Sequence, residues 1–447
     1  EESEEDTIAS DEGGMEGSQT DKTLRDNIAN EIMDKEYSGV YHLKVDIPKK
    51  YDEQIISFRD IIAHNKHEIN LTDDQYREER RLQEPNSSGP AMIEKFGTLA
   101  YNDWMAVNKK AVNHMVKEFE MRKSAAEYAR ASIAKTGVID TVKMNNYKLT
   151  DDIFKKVTIL PEGKNHGFIM YLDMSGSMSE YMYETVEQTL LLAHFAKQIN
   201  VPFRVYGFTS ALNRFNRYSD DYVAPDLAPT DGYTGGVHSE GVTLLELFSD
   251  KMSRAQLAFM SKTLLINYIN LGSKNRIWDF VKKHELSMRE VRWLYHDSMF
   301  QLGGTPLNHA LTVGMPLALD FRTAHRIDVL NTILLTDGNS HDLETTAVDD
   351  WSFRYGSDKK LITYTCPINN KTYRLRNYNS RNGMQTDAIM AMYKDITGSS
   401  VIGYRIESNR TRDLANTYAM LKGHRLGWDV EADMAKDYRR EGWIKVD

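Results

Sequence analysis

Three stretches of this sequence predict an α/β protein built on a doubly wound, mostly parallel sheet. GFIMYLD (167–173) is an unbroken apolar run of strand length, the pattern of a strand buried on both faces. EYMYETVEQTLLLAHFAKQI follows with apolar residues three and four apart, and VPFRVYGFTS then reads as a second strand. DVLNTILLTDG supplies a third strand ending in Asp-Gly, and VIGYRIE a fourth. Strands that alternate with helices need crossover connections, and in such sheets ligands sit at the carboxyl ends of the strands.

Composition bounds what the protein does. At 447 residues the chain has room for more than one domain. A net charge of −9 argues against a nucleic-acid binder that works by neutralising phosphates. The same charge favours metal ions over acidic partners. A single cysteine, Cys366, forbids an intramolecular disulfide and a structural cysteine zinc site. No stretch approaches the run of roughly 20 apolar residues of a membrane span, and the N-terminus lacks the order of a signal peptide. A cytoplasmic, membrane-free protein is expected.

Along the chain, residues 1–20 hold eight acidic residues and no basic ones, the composition of a disordered acidic linker or a solvated tail. The chain begins without methionine, so a further upstream segment is expected. Residues 21–163 read as a mainly helical N-terminal region. Within it, VYHLKVDIP alternates like a short strand, and DEQIISFRDIIAHNK carries Ile55, Ile56, Phe58, Ile61 and Ile62 at helical spacing. QEPNSSGP breaks the pattern, and residues 91–134 then predict one long helix or a kinked pair. Its Lys109, Lys110, Lys117, Arg122 and Lys123 are interrupted by acids, which suits a solvated face better than a nucleic-acid surface. The α/β unit spans 164–410, with insertions at 211–300 and 360–383 and an extension at 411–447. In the first insertion, LLELFSDKMSRAQLAFMSKTLLINYI is expected to form helices with Met252 and Met260 in the core. In the second, β-rich runs around Asn369-Asn370 predict a hairpin.

The chemistry is concentrated at the predicted strand ends. YLDMSGSMSEYM sets Asp173, Ser175 and Ser177 at alternate positions, with Gly176 expected to keep the turn unobstructed. LGGTPLNHAL puts Thr305 in a glycine-rich loop that leads into a helix, and LLTDGNSHD puts Asp337 at the tip of a strand. These five oxygen donors are hard ligands suited to Mg2+, with Mn2+ or Ca2+ as alternatives. The bland reading of the first string is a strand-to-helix turn in which a serine serves as N-cap. His341 could approach such an ion, or be a loop histidine with no role there. Asp220, Asp221 and Tyr222 fall in a long loop expected to gate the site or touch a partner.

Enzymatic motifs do not accompany these residues. The sequence has no GxxxxGK[ST] and no GxSxG elbow, His284-Glu285-Leu286 lacks the second histidine of a zincin, and the position two beyond Asp173 is Ser175 rather than a second aspartate. Catalysis by this chain alone is not expected.

Asp173-x-Ser175-x-Ser177, then Thr305, then Asp337 resembles the metal-ion-dependent adhesion site of von Willebrand factor A domains. That resemblance implies that the hydroxyls contact the ion or hold its waters, that the carboxylates bind it directly or through water, and that an open position accepts a carboxylate from another protein. The approach to the motif, with Gly137, Ile139 and Asp140, is similar to that in the A-domain subunit of aerobic cobaltochelatase and its relatives. There a helical region and a strand pair precede the metal motif, and an acidic linker lies upstream. This implies a non-catalytic subunit of a hetero-oligomer with a AAA+ ATPase of the MoxR type and a chelatase-like client. An adhesive or virion-associated A domain is the alternative.

Overall fold

The computed structural model describes residues 39–70, 90–130, 132–139, 154–159, 165–212, 235–239, 241–271, 276–287, 298–337, 340–345, 360–375 and 384–406. The acidic segment 1–20 and the extension 411–447 lie outside these, as does Asp140. The first elements are strand β1 (Gly39–Val45), the short strand β2 (Ile55–Ile56), helix α1 (Phe58–Asn70) and the long helix α2 (Pro90–Arg130). A strand pair follows, β3 (Ser132–Ile139) with β4 (Phe154–Ile159), and then β5 (His166–Asp173), α3 (Met182–Ile199) and β6 (Phe203–Thr209). Next come β7 (Gly235–His238), β8 (Thr243–Ser249), α4 (Arg254–Tyr268), α5 (Arg276–Lys283) and α6 (Leu307–Ala324). The described chain closes with β9 (Val329–Thr336), β10 (Glu344–Thr345), β11 (Lys360–Thr365), β12 (Thr372–Arg374), α7 (Met384–Thr397) and β13 (Ser400–Arg405).

The fold is mixed α/β with two mostly parallel sheets. The larger has six strands in the order β13-β9-β5-β6-β8-β2. β5 lies at its centre, parallel to β6 on one side and to β9 on the other. From β5 the chain steps outward to β6, and later returns to place β9 and β13 on the opposite side. The strand order therefore reverses between β5 and β9, where doubly wound sheets open a crevice at their carboxyl edge. The arrangement is compatible with Rossmann-like folds.

Alternation along β5 divides two cores. Met170 and Leu172 face a cluster with Val186 and Leu190 of α3, Leu257 and Leu264 of α4, and Phe96 and Trp104 of α2. Ile169 and Tyr171 face the other cluster, with Leu311 and Met315 of α6 and Ile389 and Tyr393 of α7. Both faces of the central strand are thus apolar, which is why its sequence shows an unbroken run. A charged residue is also buried here. Arg204 on β6 pairs with Glu246 at 3.2 Å and with Asp250, tying β6 to the antiparallel strand β8.

The structure departs from the sequence reading in four places. Leu244–Ser249, expected to be helical, forms β8, because an apolar run buried on both faces carries no period that tells strand from helix. Met252 and Met260 are in the core as expected. Ile55 and Ile56 do not begin a helix but pair with Leu244 and Leu245 at the sheet edge, and α1 starts at Phe58. The long helix stops at Arg130, and Ser132 onwards pairs with β4. A second sheet, in the order β10-β7-β1-β11-β12, joins β1 from the N-terminal region to strands more than 190 residues later, a pairing no local pattern announces. Its Leu43, Val45 and Tyr364 share the core of α6 and α7.

The long helix and the hairpin form as expected. α2 is one continuous helix, and its Lys109, Lys110, Lys117, Arg122 and Lys123 are exposed, with Arg122 paired to Glu118 one turn away. β11 and β12 form the hairpin, turning through Asn370 at φ 55°, a left-handed conformation that asparagine tolerates. No helix among the described residues is long and apolar enough to cross a membrane.

One packing contact gives a direct test of the core. A Cβ on Gly314 of α6 would strike the hydroxyl of Tyr171 and lie 3.0 Å from its Cζ, and that ring is fully buried. Gly314→Ala should therefore lower stability by about 1–3 kcal/mol despite alanine's higher helix propensity. A urea midpoint equal to or above that of the unsubstituted protein would contradict this packing.

Candidate functional site

The carboxyl edge of the large sheet gathers the predicted donors. Asp173 is the last residue of β5 and is fully buried. Its Oδ1 accepts from the Ser175 N–H at 3.0 Å, and its Oδ2 accepts from the Thr336 hydroxyl at 2.5 Å. Ser175 and Ser177 follow in the turn, with their hydroxyl oxygens 3.0 Å apart. The Ser177 hydroxyl in turn donates to Asp337 Oδ1 at 2.9 Å, joining residues 160 positions apart. That juxtaposition follows from the parallel pairing of β5 with β9, which brings Leu172 opposite Leu335 and carries both strand ends to one place.

Thr305 reaches the same edge by a different route. The Gly303 loop is stitched to the serine loop by a parallel bridge between Ser175 and Gly303. Gly176 N–H donates to Gly303 O at 2.7 Å, and Gly303 N–H donates to Met174 O at 2.9 Å. Thr305, two residues on, is buried, and its carbonyl accepts from the His341 N–H at 2.8 Å. The structure thus places Asp173, Ser175, Ser177, Thr305 and Asp337 on three loops at one sheet edge. Asp220, Asp221 and Tyr222 lie outside the described residues.

The turn is not a capping device. Ser175 precedes a short 3-10 helix, Gly176–Glu180, but its side chain makes no cap hydrogen bond, and Tyr181 at the start of α3 makes none either. The serine hydroxyls point along the chain of oxygens that leads to Asp337.

Gly176 does not have the role expected of it. A Cβ there would meet only Gly303 O at 3.7 Å, an ordinary contact. The crowded glycines are the next pair. A Cβ on Gly303 would lie 2.7 Å from Ala211 N, against backbone that cannot yield, and one on Gly304 would lie 3.0 Å from Ser210 Oγ and 3.2 Å from His341 Nδ1. Gly304 N–H also donates to Ser210 Oγ at 2.8 Å. The sequence signal was the doubled glycine itself, since two adjacent glycines ahead of a helix permit a close backbone approach.

The electrostatics favour a cation. Burial pushes the Asp173 carboxyl up to about 6 from its ordinary 3.8; bonds from Thr336 and Ser175 oppose this, and the charge of Asp337 adds to it. Asp337 is also raised, chiefly by burial, with the Ser177 bond and the charge of Arg405 pulling the other way. Two carboxylates that repel each other in a partly dry place are stabilised by positive charge between them. Serine and threonine hydroxyls suit a hard ion that keeps part of its water. Among the described residues no group of three or more His, Cys, Asp or Glu is placed to hold a metal, so a cation here would depend on these hydroxyls. The residues present fit Mg2+, Mn2+ or Ca2+.

Sequence reasoning missed three contributors. Thr336 orients Asp173, Ser210 anchors the glycine loop, and Arg405 lies opposite Thr336 in the β13–β9 ladder. Compared with models of known protein families and with curated proteins, the chain matches none.

A pH dependence follows from Asp173. Its folded-state carboxyl titrates near 6 and its unfolded one near 3.8, so the folded form binds more protons between these values. In metal-free protein, this residue's contribution should be fully favourable below about 4 and be lost as pH rises through about 6. Denaturation midpoints with a chelator should thus fall more steeply over that range in the unsubstituted protein than in Asp173→Asn. Parallel curves would refute the assignment.

Proposed function

We propose that this chain is a non-catalytic, Mg2+-dependent protein-binding module of the von Willebrand factor A type. It docks a partner's carboxylate on its metal site within an assembly driven by a AAA+ ATPase of the MoxR type. The observation that carries the reading is the bond between Ser177 and Asp337, by which two pieces of one motif, 160 residues apart, meet beside Asp173 at the sheet's carboxyl edge. Asp173, Ser175, Ser177, Thr305 and Asp337 would hold the ion. When bound, it supplies an electrophilic position that accepts an external oxygen ligand.

The chain's own residues prepare that position. The Thr336 hydroxyl and the Ser175 N–H fix both oxygens of Asp173, so the carboxylate does not rotate. Ser177 holds Asp337 from the opposite loop. Gly303 and Gly304 bring the loop that carries Thr305 against the serine loop, through the bridge between Ser175 and Gly303. The assembly part of the proposal is supported by the order of elements ahead of the site. Helix α2 is followed by the strand pair β3–β4 and then by β5, as in the cobaltochelatase-like proteins this sequence resembles.

Two experiments test the reading. Titration calorimetry should detect Mg2+ binding that Asp173→Ala abolishes and that Thr336→Val weakens about 10–100-fold, the usual effect of removing a residue that orients a ligand. Immobilised protein should capture a MoxR-type ATPase in Mg2+ but not in EDTA, and not when Asp173→Ala is used. Equal capture in all three conditions would overturn the metal-docking function.

A further inference from the structure

The metal face is flanked by two nitrogen-bearing side chains that the ligand set does not use. Arg405 ends β13, where it lies in register with Thr336, and Ile406 N–H donates to Thr336 O at 2.8 Å. It is exposed, and its charge is felt by Asp337. His341 lies on the other side. Its backbone is held at three points, by its N–H to Thr305 O at 2.8 Å and by its carbonyl, which accepts from Asn308 Nδ2 at 3.1 Å and Ser340 Oγ at 2.8 Å. Its ring lies over Gly304, beside Ser210 at the end of β6, and the residue is exposed.

Strand order converts these contacts into a layout. The sheet runs β13-β9-β5-β6, and the donor cup spans the ends of β9 and β5. Arg405 therefore stands on the β13 side of the cup and His341 on the β6 side. The acidic neighbour of His341, Asp342, exerts its charge on Tyr364 of the second sheet. Both Asp173 and Asp337 are committed to the cup itself. An incoming ligand would meet a cation at the centre and a hydrogen-bond donor on each side, since even a neutral imidazole keeps one N–H.

Resting on the metal-docking reading above, we propose that His341 and Arg405 are specificity-determining residues of this face. One carboxylate of the partner takes the metal position, and neighbouring acidic side chains are read by His341 and Arg405. The site thus selects a short acidic segment over a lone carboxylate. No proton transfer is required, and neither residue needs to touch the ion.

The test replaces Mg2+ with Mn2+ and follows water-proton relaxation, which falls when a carboxylate displaces metal-bound water. Acetate and a triglutamate peptide serve as probes, with His341→Ala, Arg405→Gln and the unsubstituted protein. The unsubstituted protein should prefer triglutamate to acetate at least about tenfold, and each substitution should weaken triglutamate about threefold to fivefold, the size of an exposed ion pair. Acetate should bind all three proteins alike. Mn2+ affinity should be unchanged in His341→Ala and equal or tighter in Arg405→Gln, because a nearby positive charge is removed. Metal affinity that rises while peptide affinity falls is a signature general unfolding does not produce. Titration of the peptide should also shift the His341 imidazole proton signals. Mn2+ binding with triglutamate affinity unaltered in both variants would overturn this proposal and leave the metal site standing. No Mn2+ binding at all would overturn the metal reading, and this one with it.

Discussion

A carboxylate buried at the end of the central strand is the constraint around which the rest of the structure is arranged. Asp173 has no solvent exposure, and an ionised carboxylate out of water is costly unless it is hydrogen-bonded or paired. Both of its oxygens are occupied, one by the backbone of its own turn and one by Thr336 of the neighbouring strand. Those bonds require β5 and β9 to end at the same level, and the parallel register from His166 opposite Val329 to Leu172 opposite Leu335 secures this. Even so, burial keeps the carboxyl above its ordinary range.

The sheet that carries this edge is supported from both sides. α2, α3 and α4 cover one face, and α6 and α7 cover the other, so neither face of β5 or β6 is open to water. Strands buried in this way hold their ends rigidly, which suits a site whose donors come from separate loops. The second sheet adds to the layer over α6 and α7, and it draws residues 39–45 of the N-terminal region into the same core. Arg204 and Glu246 add an ion pair inside the sheet, and Glu246 also accepts from the Phe58 N–H at 3.3 Å, fixing the start of α1.

Much of the fold was legible in the sequence, for a physical reason. A parallel strand covered on both faces is mostly apolar, so GFIMYLD, VPFRVYGF and VLNTILLT declared themselves, and the helices between them carried their own periods. The same argument failed for LLELFS, which is also mostly apolar around Glu246 but was read as helix because helical spacing resumes soon after it. It failed again for Ile55 and Ile56, two residues too few to show any alternation. The second sheet was illegible, because β1 finds its partners at residues 235–237 and 360–365, and pairing over such distances leaves no local mark.

For the site, residue types and spacing determined which side chains were candidates. Asp173, Ser175, Ser177, Thr305 and Asp337 each sit at a strand end or in a glycine loop that the sequence displays. Tertiary structure alone decided that they meet, because Ser177 reaches Asp337 only through the β5–β9 register, and the serine and threonine loops meet through the backbone bridge between Ser175 and Gly303. It also decided that the crowded glycines are Gly303 and Gly304 rather than Gly176, and that Thr336 and Arg405 border the donors. A sequence states which donors the chain carries; only the register and the order of strands state which of them share a place.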